Sequence, residues 1–408
     1  MRTESPATVD EAFFEPALNM IRNYSRLARV SDNGFGDEQY LRHGLQRALD
    51  GNESGRAFLQ ALGDNGATLP RATWFDALQS ERRLSVIEEV ATQSYPKFEC
   101  ALEGHDWLVE FPELKDRDVT AFDGHQIAHA CHAQRDSKQR FVPSGLIYSM
   151  NLHNGLMRSI ACFQGDGKRR HEWPVFQECW RSQLPRGTRK NLSIAVVDPA
   201  YIDILFWVLE KQQRQGVFIS REKENMKPAI IGQNSVDAND PVNLGVEADE
   251  IAKYTTGCLR RIRYKDPKTG KEYIFITTES ELRPGLVALL YLMRWKIEKA
   301  YDVFKNKLFA RKAWANGSIA LLQQGHFQAM LHNLFTLLLH RLEGQGIKEE
   351  KVERRHAKKP SVVPSHKMVR HLQTLTCQFI RVVRNLIARS TPWEEALPLF
   401  KLRLDSYL

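Results

Sequence analysis

From residue 118 to residue 221 the chain reads strand, strand, strand, helix, strand, helix, strand, and few folds accept that order. DVTAFDG (118–124) is a short β-rich run. SGLIYSMN (144–151) and GLMRSIACF (155–163) follow, separated only by Leu-His-Asn, which reads as a hairpin. HEWPVFQECWRSQ (171–183) has a helical pattern. NLSIAVVD (191–198) is a β-branched run of the kind buried inside a sheet, and it ends on an acid. PAYIDILFWVLEKQQRQG (199–216) opens on Pro and closes on Gly, the asymmetry of a helix, and GVFISR (216–221) is a further strand. The order predicts a mixed sheet with helices on its faces, the α/β class.

The flanks differ. Residues 10–105 read as short helices broken by Gly/Asn/Asp clusters such as SDNGFGDE and GDNGATLP. Within them ATWFDALQSERRLSVIEEV (72–90) reads as one amphipathic helix. Arg22, Arg26 and Arg29 share a helical face, which suits either phosphates or plain solvent. Residues 222–256 are polar, rich in Asn, Asp and Pro, and show little periodicity. In CLRRIRYKDPKTGKEYIFITTE (258–279) two strands flank a strong turn signal. RPGLVALLYLMRWKIEKAYDVFKNKL (283–308) reads as one long helix. Residues 318–344 and 365–390 are helical and apolar on one side, with a basic, Pro-containing linker between them.

Charge is distributed unevenly. The chain has 408 residues and a formal net charge of +9, yet residues 1–110 hold 11 Lys+Arg against 18 Asp+Glu, a net of −7. The remainder carries +16, so a surface for a polyanion is expected in the middle and tail. The six cysteines are scattered without a Cys-x-x-Cys pair, as in a reducing compartment. The N-terminus is acidic and lacks the apolar core of a leader. No apolar run approaches the roughly 18 residues of a membrane helix. A cytoplasmic location and no membrane partner are expected.

The long helix carries the clearest chemical signal. Tyr291, Arg294, Glu298 and Lys305 fall within about 60° of one another at 3.6 residues per turn. Leu290, Met293, Ile297, Tyr301, Phe304 and Leu308 form a second stripe directly beside them. A solvated face would put the polar residues opposite the apolar stripe. Here an acid, two cations and a phenol stand at the edge of a core, where a carboxylate can meet a metal and cations can meet phosphate.

These four residues match the Tyr-x2-Arg-x3-Glu-x6-Lys signature, and YLMRWKIEKAYDVFK (291–305) resembles transposases of the insertion-sequence-four family at further positions, including Trp295 and Ile297. The resemblance spans roughly residues 70–310. It implies a ribonuclease-H-like catalytic domain, with one Asp on the first strand, another at the end of the fourth and Glu on a later helix. The chain supplies them in order: Asp123, Asp198 and Glu298. The second aspartate is followed by Pro-Ala-Tyr, which keeps the family's aromatic but has Ala for its Gly. Asp198 is preferred over Asp203, which the pattern puts inside the following helix.

The resemblance further implies that the three acids hold two Mg²⁺ ions, with Mn²⁺ as a substitute, because hard cations take carboxylate oxygens. It implies cut-and-paste transposition on double-stranded DNA: a nick at the transposon end, hairpin formation and reopening, and attack of the 3′-hydroxyls on target DNA. Tyr291, Arg294 and Lys305 would hold end phosphates, Arg221 and Lys223 would grip phosphate, and Tyr273 would stack on a flipped base. The expected organisation is a helical region at 1–110, a candidate for DNA-end binding; the catalytic domain at 111–310, with a β-rich insertion at about 222–282; and a helical region at 311–408. Transposases of this kind pair two ends, so a homodimer is expected in a bacterial, nucleoid-associated setting. In FIRVVRNLIAR (379–389), Phe379, Val382, Val383 and Leu386 form an apolar stripe flanked by Arg381, Arg384 and Arg389. It fits either the dimer contact or packing on the chain's own core. His125, His129, Cys131 and His132 invite a zinc reading, but no second ligand pair with matched spacing follows. Two other functions remain open: a nuclease of the same fold without strand transfer, and a DNA-binding protein that has lost the reaction.

Overall fold

The computed structural model describes residues 8–23, 35–50, 54–127 except 65 and 68, 144–164, 172–182, 193–306, 312–343 and 380–407. Five helices come first: α1 (Val9–Asn23), α2 (Asp37–Leu49), α3 (Gly55–Asp64), α4 (Arg71–Leu78) and α5 (Glu81–Ala101). The 72–90 segment is thus two helices. Ser80 interrupts it, because its side chain accepts the Arg83 N–H and caps α5.

The predicted run follows in order: β1 (Asp118–Ile127), β2 (Ser144–Asn151), β3 (Met157–Gln164), α6 (Glu172–Ser182), β4 (Ser193–Val197), α7 (Ile204–Arg214) and β5 (Gly216–Arg221). β2 and β3 form the expected antiparallel hairpin. Asp203 caps α7, accepting the Phe206 N–H at 3.0 Å, rather than lying inside it. The helix ends on Gln215 in the left-handed region, and Gly216 already begins the next strand.

β6 (Ala229–Asn234), β7 (Val246–Tyr254), β8 (Gly257–Lys265) and β9 (Glu272–Thr277) make the insertion. β8 and β9 are the hairpin read from the turn signal, whereas β6 and β7 lie in the stretch that showed no periodicity. All nine strands join one sheet in the order β3-β2-β1-β4-β5-β9-β8-β7-β6. β4 runs parallel to both β1 and β5, and the other pairings are antiparallel.

The sheet has a core on each face. Val119, Ala121, Ile194, Val196, Val217 and Ile219 belong to the larger one, with α1, α2 and the later helices α8 (Pro284–Met293), α9 (Trp295–Asn306) and α10 (Ser318–Glu343). Phe122, Ala195, Val197 and Phe218 face α6 and α7 in the smaller one. The alternation is the period of two that a strand imposes. Each fully buried large apolar side chain contributes about 1.5–3 kcal/mol, and the trio β1, β4 and β5 buries such side chains on both faces.

α10 lies between the N-terminal helices and the β2–β3 hairpin. Its buried amides bond to both sides, although Gln328 Nε2 has no partner among the described residues. Gln323 accepts from Tyr40 at 2.6 Å and donates to Leu78 O at 3.0 Å, while Gln328 accepts from Tyr148 at 2.6 Å. The insertion is fixed to α8, where the Gly285 N–H donates to Asn243 Oδ1 at 3.1 Å, and a Cβ at Gly285 would strike the Val242 carbonyl. The tail returns to the start of the chain. Val9 N donates to Thr391 O at 2.9 Å, and Thr8 pairs with Pro392. Residues 380–388 are helical, and Val382, Val383 and Leu386 are buried in this chain's own core, the second of the two readings of the stripe; Phe379 lies outside the described residues. Arg384 donates to Leu49 O at 2.9 Å. No helix among the described residues is long and apolar enough to cross a membrane.

Candidate active site

Two aspartates meet because of strand parity and register. Asp123 has the parity of Val119 and Ala121, and Asp198 that of Ile194 and Val196, so both side chains belong to the α9 face of the sheet. β1 and β4 are parallel with Phe122 opposite Val197, which sets Asp123 and Asp198 at the same level on neighbouring strands. Arg221, at the end of β5, has the same parity again and is exposed. The site therefore sits where the parallel pairing of β1 and β4 ends, four residues before the end of β1 and one past β4.

α8 and α9 bring the other half. What reads as one helix is interrupted at Arg294, whose N–H reaches Leu290 O at 3.2 Å and Tyr291 O at 3.1 Å. Arg294 is 3% exposed and lies among the acids. Its Nη1 donates to Asp123 Oδ2 at 3.1 Å, and its Nη2 donates to Glu298 Oε1 at 2.6 Å and stands 4.0 Å from Asp198 Oδ2. The three acids predicted from sequence thus converge on one guanidinium. Their backbones hold them as well: Gly124 N donates to Asp123 Oδ1 and Ala200 N to Asp198 Oδ1, each at 2.9 Å. Tyr301 donates its hydroxyl to the Asp123 carbonyl at 2.6 Å, tying α9 to β1.

A fourth carboxylate closes the cluster. Glu172, the first residue of α6, accepts the Tyr201 hydroxyl, and it lies so close over Gly124 that a Cβ there would collide with it. Neither spacing nor motif points to Glu172, which is 49 residues from Asp123 in sequence. The only sequence trace is Tyr201, the aromatic after the second aspartate.

The electrostatics follow from three acids around Arg294, with Glu172 acting on Asp123. Burial pushes the Asp123 carboxyl up to about 7; Arg294 opposes this, and Asp198, Glu298 and Glu172 add to it. Burial works against the Arg294 charge, but Tyr291, Asp123, Glu298 and Asp198 outweigh it and hold its pKa above the ordinary value. The Tyr291 phenol is pushed up by burial, with Arg294 and Arg221 acting against the shift.

A divalent cation suits this donor set. The ligands are hard oxygens, Asp198 and Glu298 are 40% and 35% exposed, and the cluster carries more negative charge than Arg294 neutralises. Arg294 Nε, buried, finds no acceptor among the described residues, so the guanidinium is not fully satisfied where it lies. As the side chains stand, no three acids, histidines or cysteines among the described residues close on a common point. Arg294 occupies the space between them.

The remaining predicted residues are scattered around this centre. Tyr291 is buried beneath Arg294, whose guanidinium carbon is 5.4 Å from the ring centroid. Tyr273 is half-buried and stacked on Phe275, which in turn touches Tyr291. Lys223 is half-buried in the turn after β5. Lys305 is on α9, but its side chain lies outside the described residues, as do His129, Cys131 and His132. His125 is fully buried, its ring 4.9 Å from that of Tyr301 and near Tyr148 and Phe304. In the N-terminal region Arg22 is paired with Glu15 and Glu38, while Arg26 and Arg29 lie outside the described residues.

The family model for the transposase DDE domain matches residues 114–334, more than half of the chain. The matched span starts just before β1, ends within α10 and contains all four acids. No curated protein matches the chain.

Proposed function

The chain belongs to the family of transposases with a DDE domain, and we propose that it is a cut-and-paste DNA transposase with Asp123, Asp198 and Glu298 as its catalytic acids. The observation that carries this reading is the convergence of those acids on Arg294 where the parallel pairing of β1 and β4 ends. An Asp on the first strand, an Asp after the fourth and a Glu on a later helix also support a ribonuclease-H-like description of the catalytic half. Two Mg²⁺ ions held by the three acids would supply an activated oxygen nucleophile and stabilisation of the leaving oxygen.

The residues around the acids supply position. Arg294 exchanges carboxylates for a DNA phosphate, since a guanidinium forks equally well onto either. Tyr291 supports it from below, Arg221 and Lys223 hold backbone phosphates beyond β5, and Lys305 extends the grip along α9. Tyr273 stacks on a base from the insertion side. A homodimer brings two such sites to the two ends of one element, and the chain acts on bacterial DNA in the cytoplasm.

The test is cleavage of a duplex carrying the element's terminal inverted repeats, with Mg²⁺. Glu298→Gln lowers cleavage by about a thousandfold, the equivalent of roughly 4 kcal/mol, and leaves end binding within a few-fold. Cleavage that survives this change sinks the assignment of the acids. Strand cutting with no joined product would instead make the chain a nuclease.

A further inference from the structure

Lys296 is 7% exposed and is the one lysine among the buried residues described. Its Nζ lies over the indole of Trp107, 3.1 Å from the ring centroid. Burial works against the charge and lowers the pKa of the amine, while the aromatic face attracts only the charged form. A buried ammonium is costly unless something meets it, and here an indole does.

Trp107 is itself held to the sheet. Its backbone N–H donates to His153 O at 2.8 Å, and its Nε1 donates to His105 Nε2 at 3.1 Å. Its ring lies so close over Gly155, in the turn between β2 and β3, that a Cβ there would strike it. His153 is fixed in turn by Asp106 and by the Arg117 carbonyl, each at 2.9 Å. Arg117 immediately precedes β1, the strand of Asp123. The indole is therefore a fixed point of the frame that carries the first acid.

On α9, Lys296 and Glu298 flank Ile297, which is fully buried. At about 100° per residue they stand about 200° apart, so a turn of the helix that carries Lys296 off the indole swings Glu298 by the same angle. Tyr301 ties α9 to β1 further along, whereas the turn that bears Glu298 directly follows the break at Arg294. A second tie at Lys296 fixes what the Tyr301 tie leaves free, the rotation and tilt of that first turn.

We infer that Trp107 and Lys296 are a positioning pair that sets the first turn of α9 and so aims Glu298 at Asp123 and Asp198. The inference rests on the reading of those acids as metal ligands of a DNA-cleaving site.

The test uses the full chain. It reads the Mg²⁺ midpoint, from the rise in melting temperature as Mg²⁺ is added, beside cleavage of the terminal-repeat duplex. Lys296→Met keeps length and volume without charge. Removing a positive charge near three acids would by itself tighten Mg²⁺. A misplaced Glu298 does the reverse, so Lys296→Met is expected to weaken the midpoint about tenfold and slow cleavage to a similar extent, as loss of support for a ligand does. Trp107→Phe keeps a ring face and most of the affinity, and Trp107→Leu loses both. Joined in one chain, Lys296→Met and Trp107→Leu should cost no more than either alone, because they break one contact. An unchanged or tighter midpoint in Lys296→Met overturns the positioning role, and losses that multiply in the double variant overturn the pairing with Trp107. If the parent protein binds Mg²⁺ and cleaves while Lys296→Met matches it, only the inference falls. If the parent neither binds Mg²⁺ nor cleaves, the reading of the acids falls with it.

Discussion

The insertion and the catalytic end of the sheet both bury acids, and they treat them in opposite ways. In the insertion three buried acids are matched by arginines. Asp249 takes Arg260 through two nitrogens and accepts from Asn234 as well. Glu222 takes Arg261 at 3.0 Å and the Tyr254 hydroxyl at 2.5 Å, and Glu250 takes Arg261 at 2.6 Å and Arg263 at 3.3 Å. Three acids face three arginines. At the other end Asp123, Asp198 and Glu298 share Arg294 among the described residues. Matched charge of the first kind holds a sheet together. A surplus of the second kind has no structural use and marks where a cation or a phosphate-bound cation belongs.

The largest effect should come from unbalancing the insertion. Arg260→Ala leaves Asp249, almost wholly buried, without its cation, and should lower unfolding free energy by about 3–5 kcal/mol in denaturant titrations. Added Mg²⁺ should return none of it. A loss below about 1 kcal/mol would mean that the insertion does not depend on its pairs. Arg294→Ala removes the central cation at the other end. Here the loss should be smaller, about 1–3 kcal/mol, because Asp198 and Glu298 reach solvent. Millimolar Mg²⁺ should restore it, and the same melting curves measure both variants. If neither region, or both, responded to the ion, the contrast would fail.

The smallest effect sharpens the picture of the acid cluster. Glu172→Gln should slow cleavage about tenfold and weaken the apparent Mg²⁺ affinity to a similar extent, the range typical of groups that support metal ligands. Tyr201→Phe should follow it in direction, since it frees the Glu172 carboxylate. A Glu172→Gln protein with unchanged Mg²⁺ dependence would make Glu172 only a helix-start residue packed on Gly124.

The same contrast explains what the sequence made legible. The catalytic strands are readable because their cores obey a period of two on both faces, and because Asp123 and Asp198 end such runs. Glu298 and Arg294 are readable because four polar residues share one helical stripe. β6 and β7 are not, because β7 buries Asp249 and Glu250 inside the sheet, and a hydrophobic period cannot register acids made burial-competent by arginines on the next strand. Glu172 is hidden for a related reason: its partner Tyr201 comes from a different loop. The break at Arg294 also escapes a pattern reading, since Leu290, Met293 and Ile297 keep helical spacing across it. The tail stripe illustrates ambiguity rather than silence. An apolar face looks the same whether it meets another chain or α2 of its own.

The contact between Asp123 and Arg294 joins residues 171 positions apart. A polymer must close that loop before the cluster exists, and the entropy of closure is recovered only when α8 and α9 dock on a finished β1–β4–β5 trio. During synthesis both aspartates leave the ribosome long before the glutamate and the guanidinium that complete the set. A partly made or prematurely terminated chain therefore carries carboxylates but no assembled acid cluster, and the cluster forms only with the last third of translation.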